Sequence, residues 1–290
     1  MPAIFAFARA KRNLLGAAGK ANQGSREFRK SISMYDSLLA QAVALWPYIL
    51  VGFGAQMVDG ALGMAYGVIS STLLLTLGVP PAAASAGVHA AETCTTGVSA
   101  ISHILHRNVD WKLFSRLVIP GVIGGVLGAY ILSNIDGSVI KPFIQTYLIG
   151  IGIWLVWRGF HYPPQRKDPR IVAPLGLIGG FMDATGGGGW GPIVTSNLLI
   201  QGASPRHTIG TVNSVEFILT LSISITFIAN IGLTAFTLAT AGLLIGGVVA
   251  APFGAMLARH VAPRILMVSV GVILTLTSLF GFAKWAGYIA

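Results

Sequence analysis

From residue 38 onward the chain alternates long apolar stretches with short polar breaks. Ten apolar segments stand out: 38–61, 64–79, 82–105, 113–134, 139–160, 171–187, 190–203, 206–231, 234–258 and 264–289. Their lengths and the absence of strand alternation predict an all-α architecture. At about 1.5 Å per residue, segment 190–203 reaches about 21 Å, short of a hydrocarbon core of about 30 Å. It reads as a half-helix, and 64–79 is barely longer. Short, glycine-interrupted segments at matching positions of two halves predict discontinuous helices around a midplane binding site.

The matching is an internal duplication. Asp59, Gly63, Gly67, Gly78, Pro81 and Glu92 stand opposite Asp183, Gly187, Gly191, Gly202, Pro205 and Glu216, every pair at an offset of 124. Further on, Gly121, Gly128 and Ala129 face Gly247, Gly254 and Ala255 at 126. These small residues lie on segments 113–134 and 234–258 and read as sites of close helix packing. Three regions follow: a basic N-terminal tract 1–37, a first transmembrane repeat 38–162 and a second repeat 163–290, each repeat of about five helical elements.

Composition changes the class rather than the pattern. Of 290 residues 54% are hydrophobic and 10% charged, and 37 are glycine, as expected of a polytopic membrane protein. The net charge of +10 comes from basic clusters flanking apolar segments, so nucleic acid is not an expected partner. The single Cys94 excludes an intrachain disulfide and reads as a packing residue. Tract 1–37 holds seven of the nineteen basic residues and reads either as an amphipathic helix on anionic lipid or as a loosely ordered tail.

Loop charges set the topology. Basic loops at Arg107–Arg116 and Arg158–Arg170 and the turn Arg259–Arg264 can all be cytoplasmic if each repeat has five elements. An odd number makes the two repeats inverted. That arrangement puts the basic N-terminal tract outside, against the same rule. One crossing per glycine hairpin gives eight helices in parallel halves instead, and moves Arg259 and Arg264 outside.

Four of the nine acids, Asp59, Glu92, Asp183 and Glu216, sit in apolar context and are paired by the repeat. Ionisable groups at membrane depth are costly and point to function. Ser85, His89, Glu92, Thr96, Ser99 and His103 recur at helical steps as one polar stripe, with a weaker copy in Asn213, Glu216, Thr220 and Ser224. Glu92 and Glu216 are assigned to the transport pathway or its proton coupling. Asp59 and Asp183 precede glycine runs and are assigned to capping. The run Gly186, Gly187, Gly188, Gly189 and Trp190 lacks the Gly-Lys-Ser/Thr ending of a phosphate loop. It reads as exposed backbone, where bare N–H groups and half-helix N-termini form an anion site. The substrate site is therefore expected at Gly186 to Trp190, Asn213, Glu216, Gly63, Gly67, His89 and Glu92. Arg206 belongs to it as an anion guide, unless it anchors the membrane surface.

The GGGGWGP run with its downstream Ser-Pro-Arg and Thr-Val-Asn, and HRNVDWKLFSRLVIPGVIGGVLGAYIL after the third segment, resemble the TauE/SafE-type exporters of sulfite and organosulfonates. The resemblance covers roughly residues 40–290. The first repeat departs from it, with Asp59-Gly-Ala-Leu-Gly-Met-Ala-Tyr-Gly in place of the glycine cluster. The resemblance implies a multi-pass bacterial inner-membrane protein exporting sulfite, sulfoacetate or a related organosulfonate. Its partners are the bilayer and a small anion, with a homodimer as a further expectation. No cofactor, metal or catalytic residue is expected, because no compact His/Cys ligand set such as His-Glu-x-x-His appears. The competing readings are a carrier of another small solute or metal cation, and an intramembrane metal-dependent enzyme built on His89, Glu92, Asn213 and Glu216.

Overall fold

The structure is a computed structural model and describes residues 43–59, 66–161, 169–195, 197–198, 201, 203–233, 236, 238–260 and 263–289. The basic tract 1–37, Gly63, Gly202 and the loop around Arg166 lie outside them. Among the described residues there is no strand. The helical elements run α1 (Val43–Asp59), α2 (Tyr66–Thr76), α3 (Pro81–Leu105), α4 (Trp111–Asn134), α5 (Gly137–Phe160) and α6 (Ala173–Gly186). They continue with a π-helical segment α7 (Trp190–Thr195), then α8 (Pro205–Ile231), α9 (Leu238–His260) and α10 (Pro263–Trp285). The chain divides into a unit Met1–Trp46 and a unit Pro47–Ala290, and the helix packing and the candidate site belong to the second.

Helix starts follow local chemistry. Pro81, Pro205 and Pro263 occupy first positions, where a missing N–H costs nothing and φ is preset. Asp110 caps α4, its carboxylate accepting from the Lys112 and Leu113 N–H groups at 2.9 and 3.1 Å. Its own N–H donates to Thr211 Oγ1 at 2.8 Å, which ties the start of α4 to α8.

Missing side chains decide which helices touch. α4 packs on α6, and a methyl group on Gly124 or Gly180 would run into the carbonyl of Leu177 or Gly121 on the facing helix. α1 and α9 repeat the arrangement, with Gly246 against the Ile49 carbonyl and Gly52 against that of Leu243. Both pairs are parallel. α5 and α10 pair antiparallel, Gly159 meeting Val268 near one end while Gly281 meets Gln145 near the other. α3 packs on α8, completing the centre.

α6 and α7 form a hairpin that turns back on itself. Gln201 Oε1 accepts from the Arg170 and Ile171 N–H groups at 2.9 and 3.0 Å, closing the hairpin where it opened. Arg116 donates to the Arg170 carbonyl at 3.2 Å, and Arg264 lies over the Phe160 ring at 4.5 Å. The start of α4, the mouth of the hairpin, the end of α5 and the start of α10 therefore share one end of this unit.

By length and composition, three described helices can cross a membrane: Trp111–Asn134, Val139–Phe160 and His207–Ile231. α3 is long enough at 25 residues, but its polar stripe lowers its hydropathy below theirs. Large apolar side chains such as Val98, Ile119, Phe143 and Ile225 face outward, while Ser70, His89, Gln145 and Thr220 are fully buried. Apolar outside and polar inside is the distribution that a lipid solvent favours.

Candidate functional site

Asp183 organises the glycine run. α6 ends at Gly186, and Gly187 and Gly188 take φ of 68° and 152°, values open to glycine and strained for other residues. The Asp183 carbonyl accepts the N–H groups of Gly187 and Gly188, the latter at 3.0 Å. Its carboxylate Oδ1 accepts those of Gly189 and Trp190 at 2.7 and 2.9 Å. One residue thus takes up four successive loop donors. The expectation of bare N–H groups is corrected here, because the buried acid six residues earlier already fills the nest that the glycines make.

The same bond recurs in the first half. Tyr66 N–H donates to Asp59 Oδ1 at 3.1 Å, at the offset of 124 that relates it to Trp190 and Asp183. The aromatic rings that follow are also comparable. Trp190 is fully buried against Gly121 and donates its indole N–H to the Val212 carbonyl at 3.3 Å. Tyr66 lies against Gly247 and donates its hydroxyl to the Leu243 carbonyl at 3.0 Å.

The two short elements meet backbone to backbone, Gly67 against Gly188, too close for a side chain on either. Ser71 on α2 donates its hydroxyl to the Gly187 carbonyl. α3 closes the other side. Ser85 donates to the Ala184 carbonyl at 2.6 Å, and His89 Nε2 lies 3.1 Å from Asp183 Oδ2. Glu92, one turn further, receives the Gly67 N–H, and its Oε2 is buried with no hydrogen-bond partner. The acidic groups that act on Glu92 are Asp183, Glu216 and Asp59, so all four paired acids share one region.

Other members of the expected site separate. Thr96 bonds back to the Glu92 carbonyl at 2.6 Å, and His103 pairs with the Asn108 amide at 3.3 Å near the helix end. Asn213 donates to the Ile209 carbonyl of its own helix at 2.9 Å. Arg206 lies in the first turn of α8, with its side chain outside the described residues. Tyr147 and Ser71 were not anticipated. The Ser70-Ser71-Thr72 run inside an apolar half-helix was the signal for Ser71, whereas nothing in the pattern marks Tyr147, whose buried hydroxyl lies beside Gly189. Among the described residues, no three His, Cys, Asp or Glu side chains come together as a metal site. The apolar groove of Ile153, Trp157, Val272 and Leu276 on α5 and α10 contains none of this chemistry.

A crossing of two short helices, acids at its centre and lipid-compatible surfaces around it belong to a membrane carrier, and the comparisons agree. The sequence model described as "Sulfite exporter TauE/SafE" matches residues 48–281. A "Probable membrane transporter protein YtnM" of Bacillus subtilis (strain 168) is 43% identical over 233 residues, 77% of this chain and 78% of that one. No solved structure matches. The protein is a membrane transporter that belongs to the TauE/SafE sulfite exporter family.

Proposed function

We propose that the protein exports a small sulfur-containing anion, either sulfite or an organosulfonate such as sulfoacetate, across the bacterial inner membrane, coupled to protons. The observation that carries this reading is the contact of Gly67 with Gly188. It brings the starts of both half-helices beside His89, Glu92 and Asp183. Asp59 and Asp183 already take N–H groups at these starts, so the pull on an anion comes from the remaining half-helix dipoles.

The acids must then be reconciled with an anion. Ionised carboxylates beside a doubly charged anion in low dielectric repel it by several kcal/mol. In this reading Glu92 and Glu216 are neutral while the anion is bound and ionised when it leaves, which links the two fluxes. The two repeats are inverted, and the protein is multi-pass. The shared end of α4, α5, α10 and the hairpin mouth supports this, because it puts the basic residues Arg107, Arg116 and Arg264 on one side. Counterflow in proteoliposomes tests the substrate. Labelled sulfite should exchange against internal sulfite or sulfoacetate and not against sulfate, and exchange against sulfate alone would overturn the assignment.

A further inference from the structure

His89 is fully buried and touches fixed partners at both ring nitrogens. Nδ1 lies 2.7 Å from the Ser85 carbonyl oxygen and 3.2 Å from Ser85 Oγ. The carbonyl can only accept, and the Ser85 hydroxyl proton is already given to the Ala184 carbonyl at 2.6 Å. Nδ1 must therefore carry hydrogen. Nε2 faces Asp183 Oδ2 at 3.1 Å, while Oδ1 of the same carboxylate accepts two backbone N–H groups. A neutral imidazole with hydrogen on Nδ1 would place a lone pair on Nε2 against a lone pair on Oδ2. The contact is favourable only with a proton between them.

We infer that His89 and Asp183 form a buried proton-binding site that latches α3 to the glycine loop. With the proton present, the pair is neutral overall, either as imidazolium and carboxylate or as imidazole and carboxylic acid. Loss of that one proton leaves neutral imidazole and carboxylate, changes the pair's charge from zero to −1, and turns the 3.1 Å contact repulsive. The latch then rests on Ser85 alone, and α3 can part from the loop.

The groups that act on Asp183 of the pair are Glu92 on α3, Glu216 on α8 and the Tyr147 hydroxyl on α5, and beside Glu92 lie Asp59 on α1 and the Tyr66 hydroxyl on α2. All are acids or neutral hydroxyls, so a proton at the pair reduces the negative charge that an incoming anion meets. The second repeat has no equivalent, because Asn213 stands at the position 124 residues from His89. Only one of the two related positions can bind a proton in this way.

The idea of a proton site rests on the geometry alone, and its link to transport rests on the function proposed above. Two measurements separate them. In nanodiscs, ¹⁵N NMR of histidine-labelled protein, with His89 assigned by its loss in His89→Gln, should show hydrogen on Nδ1. Asp183→Asn offers an amide hydrogen where the proton sits and keeps an acceptor for Gly189 and Trp190. It should fold, with His89 Nε2 accepting from that amide. A bare Nδ1, or a wild-type pair that keeps neutral His89 facing ionised Asp183 throughout a pH titration and so never binds the shared proton, overturns the proton site. The second measurement counts protons taken up on addition of sulfoacetate, which carries no titrating proton near pH ~7. Wild-type protein should take up protons, and Asp183→Asn should bind the anion with the uptake reduced. Unchanged uptake in Asp183→Asn overturns the coupling. Absence of sulfoacetate binding to wild-type protein counts against the substrate, while the NMR result still decides the proton site.

Discussion

At the scale of single residues, the site is held together by partners far apart in sequence. Asp183 satisfies loop amides, His89 meets Asp183 from 94 residues away, and Glu92 receives the Gly67 N–H. The glutamates were legible because an acid in an apolar helix is expensive and the repeat doubles it. The bond that fills the glycine nest was not, since a sequence shows a carboxylate near glycines without showing which donors it takes. The same holds for Tyr147, whose place beside Gly189 depends on how α5 packs. A prediction follows for the glutamates. Glu92→Gln and Glu216→Gln mimic neutral acids and should retain anion binding while flattening the pH dependence of flux in liposomes between about pH 5 and 8. Replacement by Ala removes a hydrogen-bond partner as well and should lose both. Wild-type pH profiles in both Gln variants would show these glutamates to be structural.

At the scale of elements, the apolar segments expected from polarity each carry a helical element, and the starts of α3, α4, α8 and α10 fall within about two residues of expectation because Pro or Asp marks them. The short segment 190–203 shows why length alone was insufficient. It begins as six residues of π-helix, a form that periodicity does not distinguish from an α-helical turn. Glycines divide into three kinds by what a methyl group would meet. At Gly187 it would meet Ser71 and add left-handed backbone strain of about 1–2 kcal/mol. At Gly124 it would meet the Leu177 backbone and push α4 from α6, at about 1–3 kcal/mol as overpacking. At Gly150 nothing lies within 4 Å. Gly187→Ala should therefore cut transport well beyond its loss of thermal stability. Gly124→Ala should lower the yield of folded protein, and Gly150→Ala should change neither. Thermal melting by intrinsic fluorescence beside liposome flux checks the three, and equal losses at Gly187 and Gly150 would remove the loop's special role.

At the scale of the whole molecule the remaining question is which ends face which side. The order of elements was readable from polarity, but loop charge alone left two topologies in competition. The contacts favour one. Gln201 returns to Arg170 and Ile171, so the α6–α7 hairpin begins and ends on the same side. Adding α8, α9 and α10 to that hairpin gives the second repeat its five elements, and it starts at the end where α4 starts. α1 instead packs parallel to α9, which begins at the opposite end, and this supports the proposal that the two repeats run in opposite senses. A charge rule that places Arg107 and Arg264 inside then puts the start of α1 outside. The expected outcome is specific. In a background with Cys94 replaced, single cysteines at Arg107 and Arg264 should react only with reagents that reach the cytoplasm. A cysteine at Ile135, in the turn between α4 and α5, should react from the periplasm. Labelling of position 264 from the side opposite 107 would contradict the hairpin's return and restore the parallel, eight-helix arrangement.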